Sequence, residues 1–228
     1  MRPMRKTVSH SRRRVHSRIL RGLFGKKTMR VLDLFCGMGA WSVGFHREGF
    51  DCLGVDIVDV GYPYDFIHQD IHDFDGSDYS RIDVVVASPP CTEFSRLKSL
   101  YGHGSNRKAP ADPEKGMELV REAKRIIDEA SPRFWLIENV GGAVSHFKPF
   151  LGDPKFVRRP FYLWGKFPQF LLEERDYRKP GMQHYDKKGP GHVKFNPMIS
   201  WLRARIPIPL SIELAHACKQ ALNNGNTD

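Results

Sequence analysis

The stretch MRVLDLFCGMGA, residues 29–40, decides the fold. Met29 to Phe35 is an apolar run rich in Val and Leu, which reads as a buried strand. It stops in the glycine-bearing turn at Gly37 and Gly39, where the backbone can come close to a ligand without a Cβ in the way. Trp41 to Glu48 then carries helical apolar spacing, Gly49 ends it, and Cys52 to Val55 forms a second short strand closing at Asp56. Strand, glycine turn, helix, strand is the start of a βαβ unit. Open α/β sheets bind ligands at the carboxyl ends of their strands, and an acid at the second strand end suits a ribose.

Working outward, Phe66 to Gln69 reads as a third strand that delivers Asp70 and Ile71 to the same edge. The segment RIDVVVASPPC, residues 81–91, holds a buried strand, Val84 to Ala87, running into Ser88, Pro89, Pro90 and Cys91. Two prolines cannot continue a central strand, so they set a stiff turn and hold the Cys91 thiol at the mouth. Helix Pro113 to Ala130 has core spacing, and FWLIENV, residues 134–140, brings Glu138 and Asn139 to that edge. A thiol and a carboxyl facing one pocket pair a nucleophile with an acid. Cys36, Cys52 and Cys218 read as core residues. Glu138 has a plain alternative as a cap or ion-pair partner.

These segments resemble the DNA cytosine C5 methyltransferases. DLFCGMGAWSVGF is similar to the family's cofactor loop, Asp56 with Ile57 to its ribose acid and neighbour, SPPCTEFS to its nucleophile motif and ENV to its glutamate motif. The likeness covers roughly Met29 to Val140. It implies an α/β, Rossmann-like S-adenosylmethionine-dependent methyltransferase fold, mostly a parallel sheet flanked by helices. It also implies S-adenosyl-L-methionine as cofactor, held by Phe35, Gly37, Gly39, Asp56, Ile57, Asp70, Ile71 and Pro89. Cys91 would add to C6 of a flipped cytosine in double-stranded DNA while Glu138 holds the ring. Arg158 and Arg159, in FVRRPFYLWG, are the nearest counterparts of the arginines that steady the base, with phosphate contact or plain surface charge as the other readings. ARIPIPLSIELAHACKQAL resembles the final motif, a proline-started helix folding back on the cofactor domain, with Ala204 and Arg205 where the family has Gly-Asn.

The 228 residues carry a formal net charge of +10, unevenly spread. Residues 1 to 30 hold 11 Lys/Arg and no Asp/Glu, leaving 25 basic against 26 acidic residues in the remainder. A basic extension (1–28) thus precedes the methyltransferase domain (29–228). Phosphate contact, a helix docked on the body and an organelle-targeting segment are its three readings. The loop Thr92 to Gly116 places Ser95, Arg96 and Arg107 as candidate nucleic-acid contacts. The Gly/Pro-rich stretch 173–200 leaves room for a minimal recognition loop or lobe.

No run of residues is apolar enough to span a bilayer, and the cysteine spacing matches neither a zinc site nor a disulfide framework. His68 and His72 lack partners at metal spacing, so no metal is assigned. The expected setting is the reducing cytoplasm of a prokaryote or a viral host. No membrane partner is expected and no protein partner is assigned. Two rival functions stay open, the same chemistry on RNA, transfer RNA included, and a DNA-binding protein of this fold without catalysis.

Overall fold

The computed structural model describes residues 28–94, 111–172 and 206–225. Seven strands form one sheet: β1 (Arg30–Leu34), β2 (Asp51–Asp56), β3 (Asp65–His68), β4 (Val84–Ala87), β5 (Phe134–Val140), β6 (Phe156–Arg158) and β7 (Phe161–Lys166). Their order across the sheet is β3-β2-β1-β4-β5-β7-β6. The first five strands pair in parallel, and β7 returns antiparallel between β5 and β6. The chain reverses direction across the sheet at β1, which has β2 on one side and β4 on the other. The crevice outside those strand ends is the ligand position of open α/β sheets. The expected α/β, Rossmann-like fold is present. The antiparallel pair β6–β7 was not read from the sequence.

Among the described residues four helices cover the two faces: α1 (Ala40–Arg47), α2 (Pro113–Ala130), α3 (Val144–Leu151) and α4 (Ile208–Asn223). One core lies under α2 and α3, where Val120, Ile126, Ile127 and Phe147 meet Leu32, Leu34, Val85 and Ile137. The other lies under α1 and α4, where Trp41, Phe45, Leu210 and Leu214 meet Val31, Val84, Val86 and Leu136. Strand alternation assigns the faces, since successive side chains point to opposite sides. Leu32 and Leu34 enter the first core and Val31 the second, which puts Asp33 against α1.

Local chemistry sets the helix ends. Asp112 caps α2 by accepting from the Glu114 and Lys115 N–H groups, and Pro113 sits where its missing N–H costs nothing. α4 packs on α1 closely enough that a Cβ on Gly44 would overlap Ser211 and come within 2.6 Å of the Ile212 nitrogen. The Ser211 hydroxyl donates to the Trp41 carbonyl, and Glu48 receives both His216 and Lys219. The proline-started helix therefore folds back on the first βα unit. No helix among the described residues is long and apolar enough to cross a membrane.

Several expectations lie outside the described residues: the basic extension through residue 27, Ser95, Arg96 and Arg107, the stretch from 173 to 200, and Ala204 with Arg205.

Candidate active site

β1 ends in a turn whose backbone enters the left-handed region at Phe35 (φ 58°), Gly37 (φ 50°) and Gly39 (φ 76°). At Gly39 there is also no space, since a Cβ would stand 3.0 Å from the Tyr62 ring. The Asp56 carboxylate, at the end of β2, fastens this turn by accepting from the Gly37 N–H (3.0 Å) and the Val58 N–H (3.0 Å). Beside it Ile57 is 58% exposed and Val58 is 48% exposed. Two apolar side chains open to solvent next to a carboxylate provide a surface for a flat base and acceptors for hydroxyls.

Beneath the turn lies a buried polar chain that sequence reading missed. The Ser42 hydroxyl, on α1, donates to Asp33 (2.7 Å) and meets the Tyr62 hydroxyl at 2.6 Å. Burial pushes the Asp33 carboxyl up to about 8, a shift its hydrogen bonds from Ser42 oppose. Gly54 of β2 lets Tyr62 lie across the strand, since a Cβ there would come within 2.6 Å of its ring. Nothing in the spacing of residues 33, 42 and 62 advertises this contact.

The third strand end carries Asp70, which accepts from the His72 N–H (3.0 Å) and faces the His72 Nδ1 (2.8 Å). The His72 Nε2 faces Glu118 of α2 at 3.4 Å. Hydrogen bonds from His72 hold Asp70 below the usual carboxylate range, and the Asp70 hydrogen bond raises His72. His68, raised as a possible metal ligand and rejected, instead meets the Ile57 carbonyl at 2.7 Å. Ile71 is buried, and the turn it begins is pinned by the Arg125 guanidinium, which donates to the carbonyls of Ile71 (3.2 Å) and Phe74 (3.0 Å). Among the described residues no three His, Cys, Asp or Glu side chains gather as metal ligands.

β4 leads into Ser88, whose hydroxyl accepts from the Trp41 indole N–H (2.9 Å). Pro89 is buried, Pro90 is exposed, and Cys91 starts a single 3-10 turn, Cys91–Glu93. Cys91 differs from the other three thiols in being half-buried. Burial raises Cys36 strongly and pushes Cys52 and Cys218 up to about 12, so those three stay protonated near neutrality and are poor nucleophiles. On the adjacent strand Glu138 is 8% exposed and Asn139 is 1% exposed. The Asn139 amide donates to the Pro89 carbonyl at 3.1 Å, tying the end of β5 to the turn that carries Cys91.

Thus Phe35, Gly37, Gly39, Asp56, Ile57, Asp70, Ile71, Pro89, Cys91 and Glu138 all sit at the carboxyl ends of β1 to β5. Arg158 lies on the same sheet edge, level with Val140, but two strands further out, and Arg159 follows it. Arg158 ends β6 opposite Phe161, which in turn stands opposite Val140, so β7 separates the arginines from β5. Two strand spacings of about 4.8 Å lie between them.

The glycine turn, the acid at the second strand end and the thiol after the prolines fall within residues 29–150. That segment matches the family described as C-5 cytosine-specific DNA methylase. A relative named "Probable DNA (cytosine-5)-methyltransferase" from Frog virus 3 is 37% identical over 117 residues, 49% of this chain and 53% of that protein. The Type II methyltransferase M.FnuDI of Fusobacterium nucleatum is 30% identical over 125 residues, 51% of this chain and 34% of that protein. A solved methyltransferase structure from Entamoeba histolytica shares 15% identity, with a TM-score of 0.44 over 65% of this chain and 56% of that one. The chain spans about half the length of the viral relative and about a third of the bacterial one. With more than half of its residues inside the family match, and with the thiol and glutamate motifs on neighbouring strand ends, the chain belongs to the C-5 cytosine-specific DNA methylase family.

Proposed function

We propose that this chain transfers a methyl group to C5 of cytosine in double-stranded DNA, with Cys91 as nucleophile and Glu138 as acid. The observation that carries the reading is the pairing of the half-buried thiol after β4 with the buried carboxyl at the end of β5, on neighbouring parallel strands.

The donor set fits S-adenosylmethionine. Asp56 offers acceptors to ribose hydroxyls, Ile57 and Val58 offer an apolar face to adenine, and Asp70 offers a carboxylate to its amino group. Gly37, Gly39 and Phe35 present backbone, while Ile71 and Pro89 wall the pocket. When bound, this cofactor supplies an electrophilic methyl group.

C5 of cytosine is a weak nucleophile until a group adds at C6. The Cys91 sulfur forms the bond to C6, and Glu138 gives a proton to N3, so electron density builds at C5. Once C5 carries the methyl group, N3 returns its proton to the Glu138 carboxylate, water takes the C5 proton as the C5–C6 double bond re-forms, and the S–C6 bond breaks with its electron pair on sulfur, releasing the Cys91 thiolate. Inside a duplex C6 is stacked, so the target base must leave the helix, at a cost of a few kcal/mol. Arg158 and Arg159 bring positive charge to the rim that receives the flipped nucleotide, and Ser95, Arg96 and Arg107 serve the same strand. The basic extension adds phosphate affinity, and the stretch from 173 to 200 reads a short sequence. The protein works in the cytoplasm.

The test is incubation of the full chain with S-adenosylmethionine and duplex DNA carrying 5-fluorocytosine, followed by mass spectrometry of the Cys91 peptide. A DNA adduct on Cys91, absent in Cys91→Ser, is the expected result. An adduct formed only with fluorinated RNA transfers the chemistry to RNA. No adduct with either polymer refutes the nucleophile.

A further inference from the structure

The 3-10 turn Gly141–Ala143 follows β5 directly and crosses the chain just beyond the Cys91 turn. A Cβ on Gly142 would fall into the Phe94 carbonyl oxygen and lie 3.2 Å from the Phe94 carbonyl carbon. Both atoms are backbone, so no rotamer change makes room. The Phe94 ring is itself enclosed. It would be 2.5 Å from a Cβ on Gly116 of α2, packs edge-on against Phe147 at 5.2 Å, and lies 5.8 Å from His146. Phe94 is also the far end of the nucleophile turn, since its N–H donates to the Cys91 carbonyl at 3.1 Å. On the near end, the Pro89 carbonyl is held by Asn139. The residues just after Glu138 therefore grip the Cys91 turn on both flanks, Asn139 by a hydrogen bond and Gly142 by contact alone.

We infer that Gly142 is a positioning residue for the methyl transfer: lacking a side chain, it lets the segment after Glu138 rest on the Phe94 carbonyl and so sets the gap between the Cys91 thiol and the Glu138 carboxyl. The inference rests on the function proposed above. A methyl group at Gly142 forces the two segments apart by about an ångström, and a misplacement of that size costs on the order of 100-fold in rate. Asp56 and the β1 turn lie apart from this contact, and the Asn139 hydrogen bond still holds the Pro89 carbonyl, so cofactor affinity is expected to stay near wild type.

Gly141 provides the control. It lies in the same turn, and neither glycine has a positive φ, so alanine is conformationally acceptable at both. The atoms nearest a Cβ on Gly141 are all at the far end of the Tyr162 side chain, the closest at 3.0 Å, with no backbone among them.

The experiment compares Gly142→Ala, Gly141→Ala and wild type as full chains in three measurements. These are the alkylation rate of Cys91 with iodoacetamide, single-turnover methylation of duplex DNA, and S-adenosylmethionine affinity by calorimetry. Cys91 is the cysteine alkylation can report, because the other three are buried. Gly142→Ala is expected to change Cys91 alkylation at least threefold and to slow single turnover by about 10- to 100-fold, with cofactor Kd within twofold of wild type. Gly141→Ala is expected to stay within threefold throughout. Equal behaviour of the two variants overturns the inference. Should Gly142→Ala fail to fold, Phe94→Leu loosens the same contact from the other side. That variant leaves the Phe94 carbonyl in place and removes the ring packing that holds it against Gly142, so it must slow turnover at unchanged cofactor Kd, and wild-type rates there also overturn the inference. A wild type that forms no methylcytosine refutes the function instead, while the alkylation comparison still decides the contact.

Discussion

Replacing Asp33 with asparagine removes a buried ionisable group from beneath the glycine turn while keeping its shape and its ability to accept from Ser42. Asp33 is 1% exposed, and burial raises its carboxyl from the ordinary 3.8 to about 8. In the pH range between those values the native protein holds a proton at Asp33 that the unfolded chain has released. Stability linked to this group is therefore complete below 3.8, declines as pH rises, and levels off once pH passes about 8. One proton of difference corresponds to roughly 1.4 kcal/mol per pH unit, so wild type should lose roughly 3 kcal/mol relative to Asp33→Asn between pH 5 and pH 7. Other titrating groups act alike in both proteins and cancel in the comparison. The assay is urea unfolding of both proteins at pH 5, 6 and 7, read as the difference in unfolding free energy at each pH. A difference that stays constant across the three would show that Asp33 ionises in the fold much as it does in water, and the argument from burial would be wrong.

Gly44→Ala places a methyl group into Ser211 and the backbone of α4, so thermal unfolding should report a loss of roughly 1 to 3 kcal/mol, as overpacking of a close helix contact does. An unchanged Tm would mean that the two helices separate without cost. Both ring nitrogens of His72 face carboxylate oxygens, Asp70 at 2.8 Å and Glu118 at 3.4 Å, and only the protonated ring donates to both. Its raised pKa makes the bridge stabilising on the acid side and lost as pH climbs through the native value, whereas the lowered Asp70 loses its share only as the solution is acidified. NMR titration should place His72 above 6.5 in wild type and lower in Asp70→Asn, and identical titration curves would dispose of the bridge.

The parts of the site legible in the sequence are those where residue type conflicts with its surroundings. A Val84 to Ala87 strand that runs into two prolines and a thiol, and a Phe134 to Val140 strand that carries Glu138 and Asn139 in its last three residues, do not read as ordinary core. The conflict marks the place. The β6–β7 pair left no such mark: β6 is three residues long, and its RRP sequence reads as charge and turn before it reads as a strand. Contacts such as Gly142 on Phe94, or Arg125 under the Ile71 turn, join residues about 50 positions apart through shape and backbone carbonyls. No periodicity encodes them.

The acids at and near the strand ends show where sequence reading must yield to burial. Asp33, Asp56 and Asp70 all belong to the first three strands or the residues that end them, yet only the latter two were singled out. Alternation along β1 turns Asp33 inward against Ser42, where desolvation disfavours its charged form. Asp56 and Asp70 stand one step past the core, where solvent reaches them; Asp56 accepts from the Gly37 N–H, and hydrogen bonds from His72 hold Asp70 below the usual carboxylate range. A carboxylate open to solvent can accept from a ligand's hydroxyls, while one that braces the turn beneath has to be enclosed. The same side chain meets both environments because Asp33 lies inside β1 with its side chain turned toward α1, whereas Asp56 ends β2 and Asp70 follows β3. Asp33 consequently braces the β1 turn through Ser42 and Tyr62, and Asp56 and Asp70 are the acids that the proposed function turns toward the cofactor.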